Sequence, residues 1–306
     1  GVAADGALGA AGNIVSLNGA GAGIQFRGTG TYAHQINTTV GGAYIDVIQG
    51  ATATVTTAFN GGAASGNAFT KTGNGILEIS ANNNGGTPYT GVITINAGAI
   101  KVSNAGALGA PANNTVVANS PGAALQLNGV TVTELITLNN SGISYGGALQ
   151  AVGGGASTVN AQITLSTATV IGADAGSTLT INNAFSGGQQ LTFNPAAGAN
   201  INIDTTAMNA PTPINKYGAG AVTISTVGTT TQPINHYAGT LTIGGSGTLA
   251  GGAVTQYAGS TLNLTSTAGS RLGGRTLTMY GGDFNVSGAA AETTGALTIN
   301  AGPALL

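Results

Sequence analysis

The sequence predicts an all-β chain wound as a parallel β-solenoid, and three observations carry that reading. An aliphatic residue, two variable positions, a tyrosine and two small residues recur at Ile214 to Ala219, Ile234 to Gly239, Val254 to Gly259 and Leu277 to Gly282, so Tyr217, Tyr237, Tyr257 and Tyr280 lie 20, 20 and 23 residues apart. A fixed period near 20 is the signature of stacked coils. After each tyrosine comes a short alternating run, Val222 with Ile224, Leu241 with Ile243, Leu262 with Leu264 and Phe284 with Val286, which places each pair on one strand face and stacks it on its equivalent one coil away. Helix is disfavoured throughout, because Gly, Thr, Asn and Val dominate and apolar residues recur at a spacing of two.

At ~20 residues per coil the chain would make about 15 coils, a rod of roughly 70 Å at the ~4.8 Å strand spacing. No coil buries its apolar face alone, so neighbouring coils cover one another in a single continuous unit over residues 1–306. Asn-Gly steps at Asn18, Asn60, Asn74, Asn84 and Asn128 supply the tight corners. The most regular stretch is 214–288, where the tyrosines form a column that offers flat ring faces to a partner or shields a corner of the core; corner shielding is the expected role.

Composition narrows the function. There are 6 basic and 8 acidic residues among 306, a net charge of −2, and no cluster of Lys and Arg to release counterions from phosphates, so nucleic acid is not an expected partner. Absence of cysteine removes disulfides and thiol chemistry together. No apolar run is long enough for a membrane helix. Gly and Pro total 62, short of the range typical of low-complexity disorder, while mean hydropathy is positive at +0.27.

Residues 69–109 contain Phe-Thr-Lys-Thr-Gly-Asn-Gly-Ile-Leu-Glu-Ile-Ser, then Tyr-Thr-Gly, Thr-Ile-Asn-Ala-Gly and Asn-Ala-Gly-Ala-Leu-Gly. This block resembles the autotransporter passenger-associated β-strand repeat at Lys71, Gly73, Gly75, Leu77, Ile79, Tyr89, Gly91, Ile95, Ala97, Gly98, Ala107, Leu108 and Gly109. Lys216, Gly218, Gly220, Val222 and Ile224 repeat its opening. Val92 stands where the repeat has a second Gly, and Gly85 to Pro88 reads as a small insertion. The resemblance implies a right-handed parallel β-helix displayed outside the cell. Gly6 to Ala10 repeats Gly106 to Ala110, and Thr298 to Gly302 repeats Thr94 to Gly98, so the ends read as complementary halves of a repeat. The expectation is an excerpt of a longer array, or coils that stack head to tail.

Candidate chemistry is sparse. A glycosidase needs two carboxylates about 5–10 Å apart; among Asp5, Asp46, Glu78, Glu134, Asp174, Asp204, Asp283 and Glu292, the nearest to a coil separation are Asp174 with Asp204 and Asp46 with Glu78, at 30 and 32 residues. Asp283 and Glu292 with Arg271 and Arg275 form the one charged neighbourhood, read as a solvated turn. His34 and His236 are too far apart to share a metal. His236 occupies a position taken by Lys216, Gln256 and Met279 in other coils, a tolerance that reads as outward. Gly281-Gly282-Asp283 does not recur as a calcium repeat would, and Gly153 to Gly155 lacks the Lys and helix of a phosphate loop. Thr-x-Thr runs such as Thr52 to Thr56 raise an ice-binding face, but read as scattered and out of register. Sequons at Asn37, Asn113, Asn139, Asn263 and Asn285 are expected by chance in so Asn- and Thr-rich a chain.

The expected function is therefore a non-catalytic structural or adhesive element, extracellular or at the cell surface, without cofactor. Its expected partners are copies of itself or an extracellular polymer. The alternatives are a polysaccharide-degrading β-helix enzyme and, further off, an ice-binding solenoid.

Overall fold

The computed structural model describes residues 1–10, 12–38, 41–59, 67–204, 208, 213–225, 232–245, 251–265, 271–288 and 292–300. Asn60 and the closing residues 301–306 lie outside them. Half of the chain is strand, and every ladder between strands is parallel, so the molecule is a β-solenoid of about 11 turns. Among the described residues no helix is long and apolar enough to cross a membrane.

Each full turn carries up to three strand faces. On the first, Ala43, Phe69, Ile93, Thr115, Ile136, Ile163, Phe185 and Met208 follow one another in register and are all buried. On the second, one inward column climbs from Ala53 through Leu77, Ile100, Leu125, Leu149, Ile171 and Phe193 to Lys216, His236, Gln256, Met279 and Ile299. The third face, from Thr131–Val132 onward, stacks Val132, Val159, Ile181, Ile203, Ile224, Ile243, Leu264 and Val286. The pairs expected at Val222/Ile224, Leu241/Ile243 and Leu262/Leu264 are on that face and buried, their second members in this column and their first in a parallel one. Val286, above them, is 51% exposed.

Turn length is not constant. Lys216 to His236 is 20 residues, but Ile45 to Lys71 is 26, which is why the turns are fewer than a uniform period of 20 would give. The third side opens with a two-stranded parallel ladder, Ile14–Leu17 on Gln35–Thr38, and between Thr38 and Thr131 it carries no strand among the described residues; there side chains bridge successive turns instead. Asn83 accepts from Phe59 N and donates to Ala107 O at 2.5 Å, Asn113 donates to Tyr89 O at 2.7 Å, and the Tyr89 hydroxyl donates to Asn67 O. Phe59 and Phe69 stack at 5.2 Å beside them.

Alternation also decides the outer surface, since each strand turns every second residue away from the core. Thr31, Thr54, Glu78, Lys101, Gln126, Gln150, Gly172 and Asn194 form one outward column on the second face. Its side chains bond up and down: Lys101 pairs with Glu78 at 2.9 Å, Gln126 donates to Gln150, and Gln150 donates to Asp174. On the third face Thr131, Thr158, Thr180, Asn202, Thr223, Thr242, Asn263 and Asn285 are in register. Five threonines thus align on this face, interrupted by Asn202, Asn263 and Asn285, whereas the run Thr52 to Thr56 lies on the second face and is followed there by Ile76 and Glu78. Unequal turn lengths hide the alignment, which appears only once the ladders are drawn.

Candidate functional site: corner donors, a tyrosine stack and a strained loop

The variable position before each tyrosine points inward, which corrects the outward reading of His236. Ile214 and Lys216 are two apart on one strand and both buried, so the residue between the aliphatic position and the tyrosine is turned to the core by alternation. Lys216, His236 and Gln256 are at 1%, 0% and 0% exposure. Alternation was readable in the sequence; the variety of occupants obscured it.

What these side chains share is a donor aimed at corner carbonyls. The Lys216 ammonium donates to Tyr217 O, Gly218 O and, one turn on, Ala238 O at 2.7–2.8 Å. Lys71 repeats the arrangement on Thr72 O, Gly73 O and Ala97 O at 2.7–3.0 Å, at the corner between the first and second faces. Gly73 at φ 71° and Gly218 at φ 69° allow the same bend, and a Cβ on either would run into a carbonyl of the preceding turn. Three donors meeting three acceptors offset the burial that pulls both ammonium groups down to about 8. One lysine thus staples two turns.

His236 donates through Nε2 to Gly239 O at 3.0 Å, while its buried Nδ1 has no acceptor. A second proton would have nowhere to point. Burial and, secondarily, the nearby Lys216 charge push this imidazole down to about 4. Gln256 reaches Ser260 O and Asp283 O. His34 is the opposite case: Nδ1 meets the Asp5 carboxylate at 2.7 Å and Nε2 meets Ala10 O at 3.0 Å, so its pKa is raised, first by the Asp5 hydrogen bond.

The four expected tyrosines stand together on the outer side of the second face. Rings of Tyr217 and Tyr237 stack at 4.3 Å, Tyr237 and Tyr257 at 4.6 Å, and Tyr257 and Tyr280 at 5.7 Å, with interplanar angles of 5°, 9° and 16°. Rings in the middle of the stack are partly covered and Tyr280, at its end, is 44% exposed. Tyr237 and Tyr257 have raised phenol pKa values, from partial burial first and then from neighbouring phenols.

The charged neighbourhood expected to be a solvated turn is split: Asp283 is exposed and Glu292 half-buried, but the two arginines are interior. Arg271 and Arg275 are at 1% and 2% exposure. Arg275 donates to Gln232 O at 2.9 Å, and burial pulls its guanidinium down to about 10. Glu292 accepts from Leu272 N at 2.6 Å. The weighed acid pairs do not share a face position: Asp46 is on the first face, held by Gln25 and Thr72, whereas Glu78 is on the second, held by Thr54, Ser103 and Lys101. Asp174 follows the second face and Asp204 the third. Among the described residues no three His, Cys, Asp or Glu side chains gather as a metal site.

One feature escaped the sequence altogether. The connection from the first face to the second lengthens after Leu138, where the ladder shifts register, and it contains Asn140, Ser144 and Tyr145 at φ 63°, 49° and 65°. These are the only non-glycine residues with positive φ among those described. Nothing in their identity announces it, since Asn alone of the three favours that region.

Comparison with known proteins found no match among family models, curated proteins or solved structures. Fold and side-chain geometry define the class as a parallel β-solenoid with stapled corners and an outer tyrosine stack.

Proposed function

We propose that this chain is a non-catalytic scaffold displayed outside the cell, a right-handed parallel β-helix of the autotransporter-passenger kind that acts by surface adhesion and by lengthwise association. The observation that carries it is the use of reactive side chains for structure: Lys71, Lys216, His236 and Gln256 all donate to corner carbonyls instead of lining a cleft. The Lys-x-Gly-x-Gly corner recurs with one geometry at 71–75 and 216–220, so the motif read from the sequence is a repeated structural unit of the scaffold. The tyrosine stack serves the scaffold by covering a corner.

Negative-stain imaging and surface adhesion of wild-type protein and Tyr237→Ala test this together. Rods or filaments without turnover of glucans or polyuronates are expected. Tyr237→Ala should keep surface attachment while losing about 1–3 kcal/mol of stability, because Tyr237 has a ring on each side. Dispersed particles that degrade a polysaccharide would contradict the scaffold reading, and lost attachment at full stability would make the stack a contact site. A second reading rests on the threonine and asparagine columns of the third face, whose repeating polar array fits an ice-binding surface; thermal hysteresis in the same preparation tests it.

A further inference from the structure

The strained connection between the first and second faces is built in a manner that corner shielding does not require. Asn140 ties its base one turn back, donating to Ala118 O at 2.6 Å, and Asn194 reaches in from further along the solenoid to donate to Tyr145 O at 2.9 Å. Gly172, next on the outer column after Gln150, carries no side chain, and a Cβ there would run into the Gly146 carbonyl. The surface has therefore been cleared to seat this loop. Positive φ at three non-glycine positions is a local cost that persists only where surrounding structure fixes it, and such strain gathers at binding sites.

Tyr145, 49% exposed, lines two clefts of about 310 and 530 Å³, one toward Thr169 and Gln190 and the other toward Asn74 and Gln49. Both volumes fall in the range of small-ligand sites. Neither lining contains a charged residue. The side chains of Asn119, Ser141 and Gln190, which line the smaller cleft, make no hydrogen bond within the described residues. Sugar rings need this combination: an exposed aromatic face for the C–H side of the ring, and uncharged donors and acceptors for the hydroxyls.

We infer that the Tyr145 loop is a binding site for a neutral glycan chain, with Tyr145 as the stacking platform between two subsites. Anionic polymers such as polyuronates and phosphorylated ligands find no counter-charge there. The site is independent of lengthwise assembly, because it lies on the side of the solenoid and not at its end.

Isothermal titration of the full chain with neutral hexasaccharides of β-1,4-glucan, β-1,3-glucan, β-1,4-linked N-acetylglucosamine and mannan, with hexagalacturonate as the anionic probe, tests this. At least one neutral hexasaccharide should bind with Kd below roughly 1 mM. Tyr145→Gly, which suits the positive φ while removing the ring, should weaken it at least about tenfold, a loss of about 1.4 kcal/mol, whereas Tyr257→Ala should bind as the parent does. Asn119→Ala, at an exposed position, provides a second reading of the same cleft and should also weaken binding. Binding of hexagalacturonate alone, no neutral binding below that limit, or unchanged neutral affinity in a folded Tyr145→Gly or in Asn119→Ala would overturn the inference.

Discussion

His236 shows how one residue can couple this fold to pH. Its unfolded value is near 6.5 and its folded value about 4, so between those limits the unfolded chain binds a proton that the native chain refuses. Stability therefore falls as pH drops from about 6.5 to 4, by up to about 3 kcal/mol for this group. Glu134, buried with a raised pKa, contributes with the opposite sign. His236→Gln places at this turn the side chain that Gln256 uses at the next, with donors for carbonyls and no titration. Urea unfolding of the variant between pH 7 and pH 4 should show a shallower loss than the parent. Equal slopes would mean that His236 is solvated or already protonated.

At the scale of an element, the corner is the unit that the sequence repeats and the fold reuses. Lys71 closes the corner between the first and second faces and Lys216 the corner between the second and third, with matching glycines at each. Removing the ammonium leaves three carbonyls without their donor, at about 1–3 kcal/mol for each that stays buried. Lys71→Met should therefore cost about 3 kcal/mol or more in urea unfolding. Lys101→Met, which removes only a partly exposed pair with Glu78, should cost less than about 1 kcal/mol. Equal costs would deny the staple. The motif was visible as Lys-x-Gly-x-Gly, but its burial was not, because a charged residue beside a glycine corner ordinarily faces water.

Across the whole molecule, what could be read from sequence is what depends on local alternation. Val222, Ile224, Leu241, Ile243, Leu262 and Leu264 were placed correctly because a strand reverses its faces at every residue, Val286 at the same register is exposed, and the tyrosines were aligned because their spacing is nearly constant. Features that depend on turn length were hidden: the threonine column of the third face runs through turns of unequal length, and the Tyr145 loop rests on Gly172 and Asn194, which only the winding brings to it. The buried Arg271 and Arg275 were missed for a related reason, since charge alone does not tell which side of a coil a residue occupies.

Stacking of like upon like along one axis is best tested by distance, and the cysteine-free chain allows spin labels to be placed at will. Thr131, Thr223 and Asn285 lie on one outward column, four ladder steps separating the first two and seven the first and last. Pulsed electron-spin distances should then centre near ~19 Å for Thr131→Cys with Thr223→Cys, and near ~34 Å for Thr131→Cys with Asn285→Cys, a step of ~4.8 Å per turn. A Thr131–Asn285 distance no longer than the Thr131–Thr223 distance would contradict a solenoid built on this register.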